Sequence, residues 1–158
     1  MSPEISTMVK EIIATLSQRG ETLATAESIT AGGLSQEITS IEGASQIFLG
    51  AIVSYSNEAK ISVLGIEKNL IDAHTVYSQE VAIAMAHAVR EKFGATWAIA
   101  TTGVAGPGSS DGVAPGRVWV AIVGPKSSVM ELSLEGARES VRNAAVATAI
   151  SAFTRILR

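Results

Sequence analysis

The chain has no cysteine, which excludes disulfides, thiolate metal ligands and a cysteine nucleophile. It has only two histidines, His74 and His87. That is too few for most zinc sites and gives a serine–histidine triad almost no choice of base. Long apolar runs are missing too; the run from Val118 to Val123 is far too short to span a bilayer and reads as a buried strand. Residues Met1 to Ile5 lack the basic-then-apolar pattern of a secretory signal. Basic charge is scarce, with a net charge of -3, so there is no electrostatic case for nucleic acid as the main partner. These absences lead to the expectation of a soluble, cytoplasmic protein with no metal or other cofactor and no nucleic-acid or membrane partner.

What is present points to a globular enzyme-sized unit. The 158 residues are 47% hydrophobic and 17% charged, which suits one domain over residues 1–158 with a full core. Apolar residues at helical spacing from Met8 to Leu16 predict a first helix ended by Arg19 and Gly20. Thr22 to Ala26 predicts a short strand, followed by a turn and a second helix from about Thr30 to Thr39. Ile47 to Tyr55 is rich in β-formers, and a short helix is expected from Ala59 to Leu64 after the Ser56 start. Leu70 to Tyr77 reads as irregular. Ser78 is a good N-cap for a helix reaching Phe93 and Gly94. Strands are then expected at Thr96 to Thr101, Arg117 to Val123 and Met130 to Leu134, the last two as an antiparallel pair, before a helix from Arg138 to Ile156. The predicted class is α/β: a three-layer α/β/α fold with a mixed, mostly parallel sheet, closed by an antiparallel hairpin and a C-terminal helix.

Ligands of such sheets usually sit beyond strand ends. Three polar segments leave strands: Thr25 to Gly33, Tyr55 to Lys60, and Thr102 to Gly108. If they meet, Ser28, Tyr55, Lys60 and Thr102 surround one cleft. Ser28 lies in a turn like that which holds a nucleophilic serine above a sheet edge, although it lacks the flanking glycines of the nucleophile elbow. Amides near Ala31, Gly32 and Gly33 would then face an anion. Against this stands a plain alternative: Ser28 or Thr30 is merely the N-cap of the next helix. Lys60 is a possible base if desolvation lowers its pKa, although a solvated lysine is the commoner case. Tyr55 is placed to relay or orient a proton. Glu27, next to Ser28 in an extended segment, should point the other way. The glycine-rich run from Thr102 to Gly112 matches neither phosphate-loop nor dinucleotide-loop patterns, and a flexible connection is the better reading from spacing alone. Arg142 and Arg138 are candidate phosphate partners.

Several segments together resemble the CinA C-terminal domain family, whose stand-alone members are nicotinamide-nucleotide amidohydrolases. They are Thr25 to Leu34 (TAESITAGGL), Val53 to Lys60 (VSYSNEAK), Ser78 to Ala82 (SQEVA), Thr101 to Gly108 (TTGVAGPG), Pro115 to Ala121 (PGRVWVA) and the Gly-x-Arg-x-x-Val-Arg pattern from Gly136 to Arg142. They cover nearly the whole chain in order. The resemblance implies hydrolysis of the carboxamide of nicotinamide mononucleotide to nicotinate mononucleotide and ammonia, without a cofactor. It implies Ser28 as nucleophile, assisted by Tyr55 and Lys60. It also implies a substrate-binding set of Thr30, Gly32, Gly33, Thr102, Gly103 and Arg142, with amides near Gly32 or Gly103 holding the oxyanion. A homo-oligomer is expected, because small α/β enzymes often assemble symmetrically. Two departures stand out: Ile29-Thr30-Ala31 where many relatives have Cys-Thr-Gly, and Thr75-Val76-Tyr77 where they often have Gly-Ala-Val. A domain that binds a pyridine nucleotide or a protein partner without turnover, or an amidase for another small amide, are the alternatives.

Overall fold

A computed structural model describes residues 2–158. In chain order the elements are α1 (Pro3–Arg19), β1 (Leu23–Glu27), α2 (Gly33–Thr39), β2 (Phe48–Val53), α3 (Asn57–Ser62), α4 (Lys68–His74), α5 (Gln79–Phe93), β3 (Trp97–Gly103), β4 (Arg117–Val123), β5 (Ser128–Ser133) and α6 (Arg138–Leu157). A single 3-10 turn, Ala44–Gln46, precedes β2. The five strands form one sheet in the order β2-β1-β3-β4-β5. β1 pairs in parallel with both β2 and β3. β4 runs antiparallel to β3 and β5 antiparallel to β4, so β4 alone opposes the common direction. This is the mixed, mostly parallel sheet with a closing hairpin that the sequence predicts.

The two faces of the sheet are filled differently. Large side chains (Leu23, Trp97, Ile99, Val118, Val120 and Ile122) face α1, α2 and α6. Trp97 meets Phe153 of α6 edge to face with ring centroids 5.5 Å apart, a pairing worth about 1 kcal/mol beyond its area burial. The opposite face carries alanines at 24, 26, 98, 100 and 121, against which Val81, Met85 and Val89 of α5 pack. Strand alternation explains the split: successive residues of β1 and β3 go to opposite faces. The small residues leave room for α5 to lie close, and the chain keeps its bulk for the other side.

Local signals hold most boundaries. Ser2 accepts a hydrogen bond from the Ile5 amide and Gly20 closes α1 in the left-handed region at φ 65°. Ser56 and Ser78 cap α3 and α5. Two expectations are corrected. Lys68 to His74 is helical rather than irregular; it begins at the loop after Ile66, buries Ile71, carries a Lys68–Asp72 ion pair one turn apart, and ends at Thr75. α2 begins at Gly33, three residues later than predicted, and neither Ser28 nor Thr30 caps it. No helix among the described residues is long and apolar enough to cross a membrane.

Candidate active site

Because β2, β1 and β3 are adjacent and parallel, their C-terminal ends leave the same edge of the sheet. The turn after β1 carries Ser28, the connection after β2 runs through Ser54 and Tyr55 into α3 with Lys60, and β3 ends at Gly103. The Ser28 amide continues the parallel ladder by donating to Thr101 O at 2.9 Å, and the Ser54 amide does the same to Glu27 O at 2.9 Å. Backbone pairing thus fixes both segments next to each other. A cleft of about 330 Å³ opens here, lined by Ser28, Tyr55, Lys60, Tyr77, Gly103 and Arg138 among others. Other depressions are larger, of about 660, 730, 510 and 400 Å³, and hold neither Ser28 nor Lys60.

Lys60 is 1% exposed and Ser28 5%. Lys60 Nζ stands 3.0 Å from Ser28 Oγ and 3.0 Å from Ser54 O, with Tyr55 O at 3.4 Å. No carboxylate joins them. Desolvation with nothing to balance it lowers the Lys60 pKa from 10.5 to about 8. The partner set also suits the neutral amine. As the ammonium, Nζ donates to Ser28 Oγ and to both carbonyls; once neutral it keeps its N–H bonds to the carbonyls, and its lone pair accepts from the Ser28 hydroxyl.

Glu27 is the residue that sequence reasoning undervalued. Alternation does send its side chain away from Ser28, to the face where α2 begins. There it is fully buried and takes the place of a helix cap. Oε2 accepts from the Gly32 and Leu34 amides at 3.0 Å each and from the Thr30 hydroxyl at 2.7 Å. Oε1 accepts from the Ser35 amide at 2.9 Å, from Ser35 Oγ, and from Thr25 Oγ1 at 3.3 Å. Thr101 Oγ1 adds a bond to Thr30 at 2.7 Å. The carboxylate therefore satisfies the orphan amides of α2 and neutralises its positive end. An acid between hydroxyl-bearing residues, just before a helix with no Ser or Asp at its cap position, was the available signal.

This network changes the expected roles of several residues. The Gly32 amide is already bonded to Glu27, while those of Ala31 and Gly33 donate to Ser28 O and Thr30 O. None of the three is available to an oxyanion. Thr30 is buried within the network, and Gly33 packs against Val146 of α6. Thr102 is buried as well, with its hydroxyl donating to Val76 O at 2.6 Å. Arg142 does not line the cleft; Nε donates to Ile29 O at 3.1 Å and Nη2 to Thr30 O at 3.2 Å, tying down the turn behind Ser28. Tyr55 lines the cleft, but its ring is exposed and its hydroxyl accepts from Arg138. Lys60 reaches the Tyr55 carbonyl, not its phenol. The sequence-predicted residues that the structure brings to the cleft are Ser28, Tyr55, Lys60, Gly103 and, of the two candidate phosphate partners, Arg138.

Two amides remain beside Ser28. That of Ile29 makes no hydrogen bond among the described residues. That of Gly103 is turned by strand alternation toward the β1 edge, since the next amide, Val104, bonds across to Arg117 O of β4. A side chain at Gly103 would come within 2.6 Å of that same Arg117 carbonyl.

Residues 5–157 match the family described as CinA C-terminal domain. The chain belongs to that family. It is 42% identical over 147 residues to a CinA-like protein of Frankia casuarinae, covering 92% of this chain and 34% of the relative. It is 41% identical over 152 residues to a putative competence-damage inducible protein of Caldanaerobacter subterraneus, covering 95% and 37%. This CinA domain thus spans about a third of the length of the curated relatives it matches. Among solved structures, competence damage-inducible protein A of Klebsiella pneumoniae superposes with a TM-score of 0.93 at 30% identity, covering 97% of this chain and 96% of that one. A competence/damage inducible protein of Agrobacterium tumefaciens gives 0.95 at 28% identity, with 100% and 98% covered. The likeness fixes the CinA fold over the described residues.

Proposed function

We propose that this chain is an amidase that hydrolyses the carboxamide of nicotinamide mononucleotide to nicotinate mononucleotide and ammonia. The observation that carries the reading is the buried Ser28–Lys60 pair, 3.0 Å apart, with the lysine pKa lowered to about 8. A binding module has no need of a desolvated lysine aimed at a serine hydroxyl, and a buried lysine without a counter-ion is costly. The substrate follows from the resemblance of the motifs around this pair to those of nicotinamide-nucleotide amidohydrolases.

In the first step the Ser28 oxygen attacks the carboxamide carbon while its proton passes to neutral Lys60. The carbonyl oxygen becomes an oxyanion, and the Ile29 and Gly103 amides are the donors on hand for it. The Lys60 ammonium returns the proton to the nitrogen as the C–N bond breaks, and ammonia leaves. Neutral Lys60 then takes a proton from water, whose oxygen attacks the acyl-serine ester. Collapse of that intermediate releases the carboxylate and restores the Ser28 hydroxyl. Glu27 and Arg142 act only on position: the first secures the start of α2, the second the Ile29 and Thr30 carbonyls.

The test is ammonia release by the purified protein over a panel of amides that includes nicotinamide mononucleotide. Turnover is expected for the nucleotide and is expected to vanish in Ser28→Ala with folding and nucleotide binding intact. Appreciable turnover by folded Ser28→Ala would sink the covalent mechanism. Binding without turnover by the wild-type protein would favour a non-catalytic nucleotide-binding domain.

A further inference from the structure

The residues that line the cleft include two cations, Lys60 and Arg138, and no carboxylate. Lys60 is held at the reacting serine. Arg138 stands at the start of α6, exposed, with its guanidinium bridging two other lining residues. Nη1 donates to Gly106 O at 2.9 Å and Nη2 to the Tyr55 hydroxyl. Both partners are neutral. Among the described residues Arg138 has no carboxylate partner, whereas Arg117 and Arg158 are paired with Glu131 and Glu11. Its guanidinium is therefore held by a carbonyl and a phenol from two different segments of the cleft lining, without an ion pair. Arg142 has the opposite situation, since its donors hold backbone carbonyls away from the opening.

We propose that Arg138, presented by Tyr55 and Gly106, is the residue that reads the anionic group of the substrate, its phosphate, and that Tyr55 serves as its positioning residue. A planar guanidinium can exchange the Gly106 carbonyl for two phosphate oxygens while keeping the Tyr55 hydroxyl. The substrate class this implies is a small amide that also carries an anionic group. The assignment rests on the proposed function for its choice of reaction and for the phosphate.

The experiment measures steady-state hydrolysis of nicotinamide mononucleotide and of nicotinamide riboside, which lacks the phosphate, by the wild type, Arg138→Ala, Arg138→Lys, Tyr55→Phe and Arg142→Ala. Direct binding of both compounds is measured by calorimetry on the same proteins. Arg138→Ala is expected to raise KM and Kd for the nucleotide about tenfold, as befits a charge-assisted pair at a partly wet site, and to leave the riboside unchanged. Arg138→Lys should recover part of the loss. Tyr55→Phe should show the same phosphate-dependent pattern at smaller size, with kcat kept. Arg142→Ala should lower kcat on both compounds alike. Equal losses on both compounds in Arg138→Ala, or no loss on either, overturn the assignment. A fall in kcat on both compounds in Tyr55→Phe returns that residue to proton transfer and overturns its positioning role. If neither compound releases ammonia, the amidase reading fails by itself, and the calorimetric arm still decides: a nucleotide affinity that is independent of Arg138, or no preference of the wild type for the nucleotide over the riboside, refutes the proposal.

Discussion

Lys60 makes the most demanding prediction, because the same burial that activates it must destabilise the fold. Its pKa falls from 10.5 to about 8 through desolvation. Each pH unit between those values is worth about 1.4 kcal/mol, so carrying the charged form at pH 7 costs the native state about 3 kcal/mol. Lys60 is 1% exposed, and solvent screening takes little from that figure. The sign follows from proton counting. Between pH 8 and 10.5 the unfolded chain binds the proton that the folded chain has released, so stability rises with pH across that window. Below about pH 8 both states are protonated and the penalty is constant. Urea denaturation of the wild type and Lys60→Met, followed from pH 7 to pH 10.5, isolates the effect. Loss of the bonds to the Ser54 and Tyr55 carbonyls is a pH-independent cost in the variant. The wild type should gain about 3 kcal/mol on the variant over the window. The kinetic counterpart is kcat/KM that climbs about tenfold per pH unit below 8 and levels off above it, since the base is the neutral amine. A flat stability difference, or a rate that rises only near pH 10.5, would refute the reasoning.

Two further outcomes follow from the site's supports. Glu27→Ala leaves the Gly32, Leu34 and Ser35 amides without their acceptor in a buried place, so it should cost about 3 kcal/mol or more and lower the melting temperature by roughly 6 °C or more. A loss under about 1 kcal/mol in urea denaturation would show that water replaces the carboxylate. Gly103→Ala forces a methyl to within 2.6 Å of the Arg117 carbonyl, so β3 and β4 must part at the cleft; turnover should fall by more than tenfold in protein that circular dichroism reports as folded. Unchanged turnover would remove Gly103 from the oxyanion site.

Much of this architecture was legible in the sequence, because local rules determine it. The spacing of Val9, Ile12, Ile13 and Leu16 makes an amphipathic helix wherever it is placed, and Gly20 ends it. The apolar run from Val118 to Val123, β-branched at 118, 120, 122 and 123, has no other comfortable state than a buried strand. Ser56 and Ser78 announce their helices through a side-chain bond three residues long. Alternating strands and helices with a final hairpin then leave few topologies open. Even the approach of Ser28 to Lys60 could be anticipated from three polar segments at strand ends.

What only the tertiary structure decided is where each polar group's partner lies. Thr30 and Thr102 stand next to the cleft in sequence, yet their hydroxyls bond to Glu27 and to the Val76 carbonyl. Arg138 and Arg142 are four residues apart on one helix, and one turn of rotation and rise sends the first to the cleft and the second behind the nucleophile's turn. The amides of a glycine pair look free in a sequence; a carboxylate five residues earlier in the chain took that of Gly32. Hydrophobic pattern is read one residue at a time and survives in one dimension. Hydrogen-bond partnership depends on distances of about 3 Å between residues far apart in the chain, and only the folded backbone sets those.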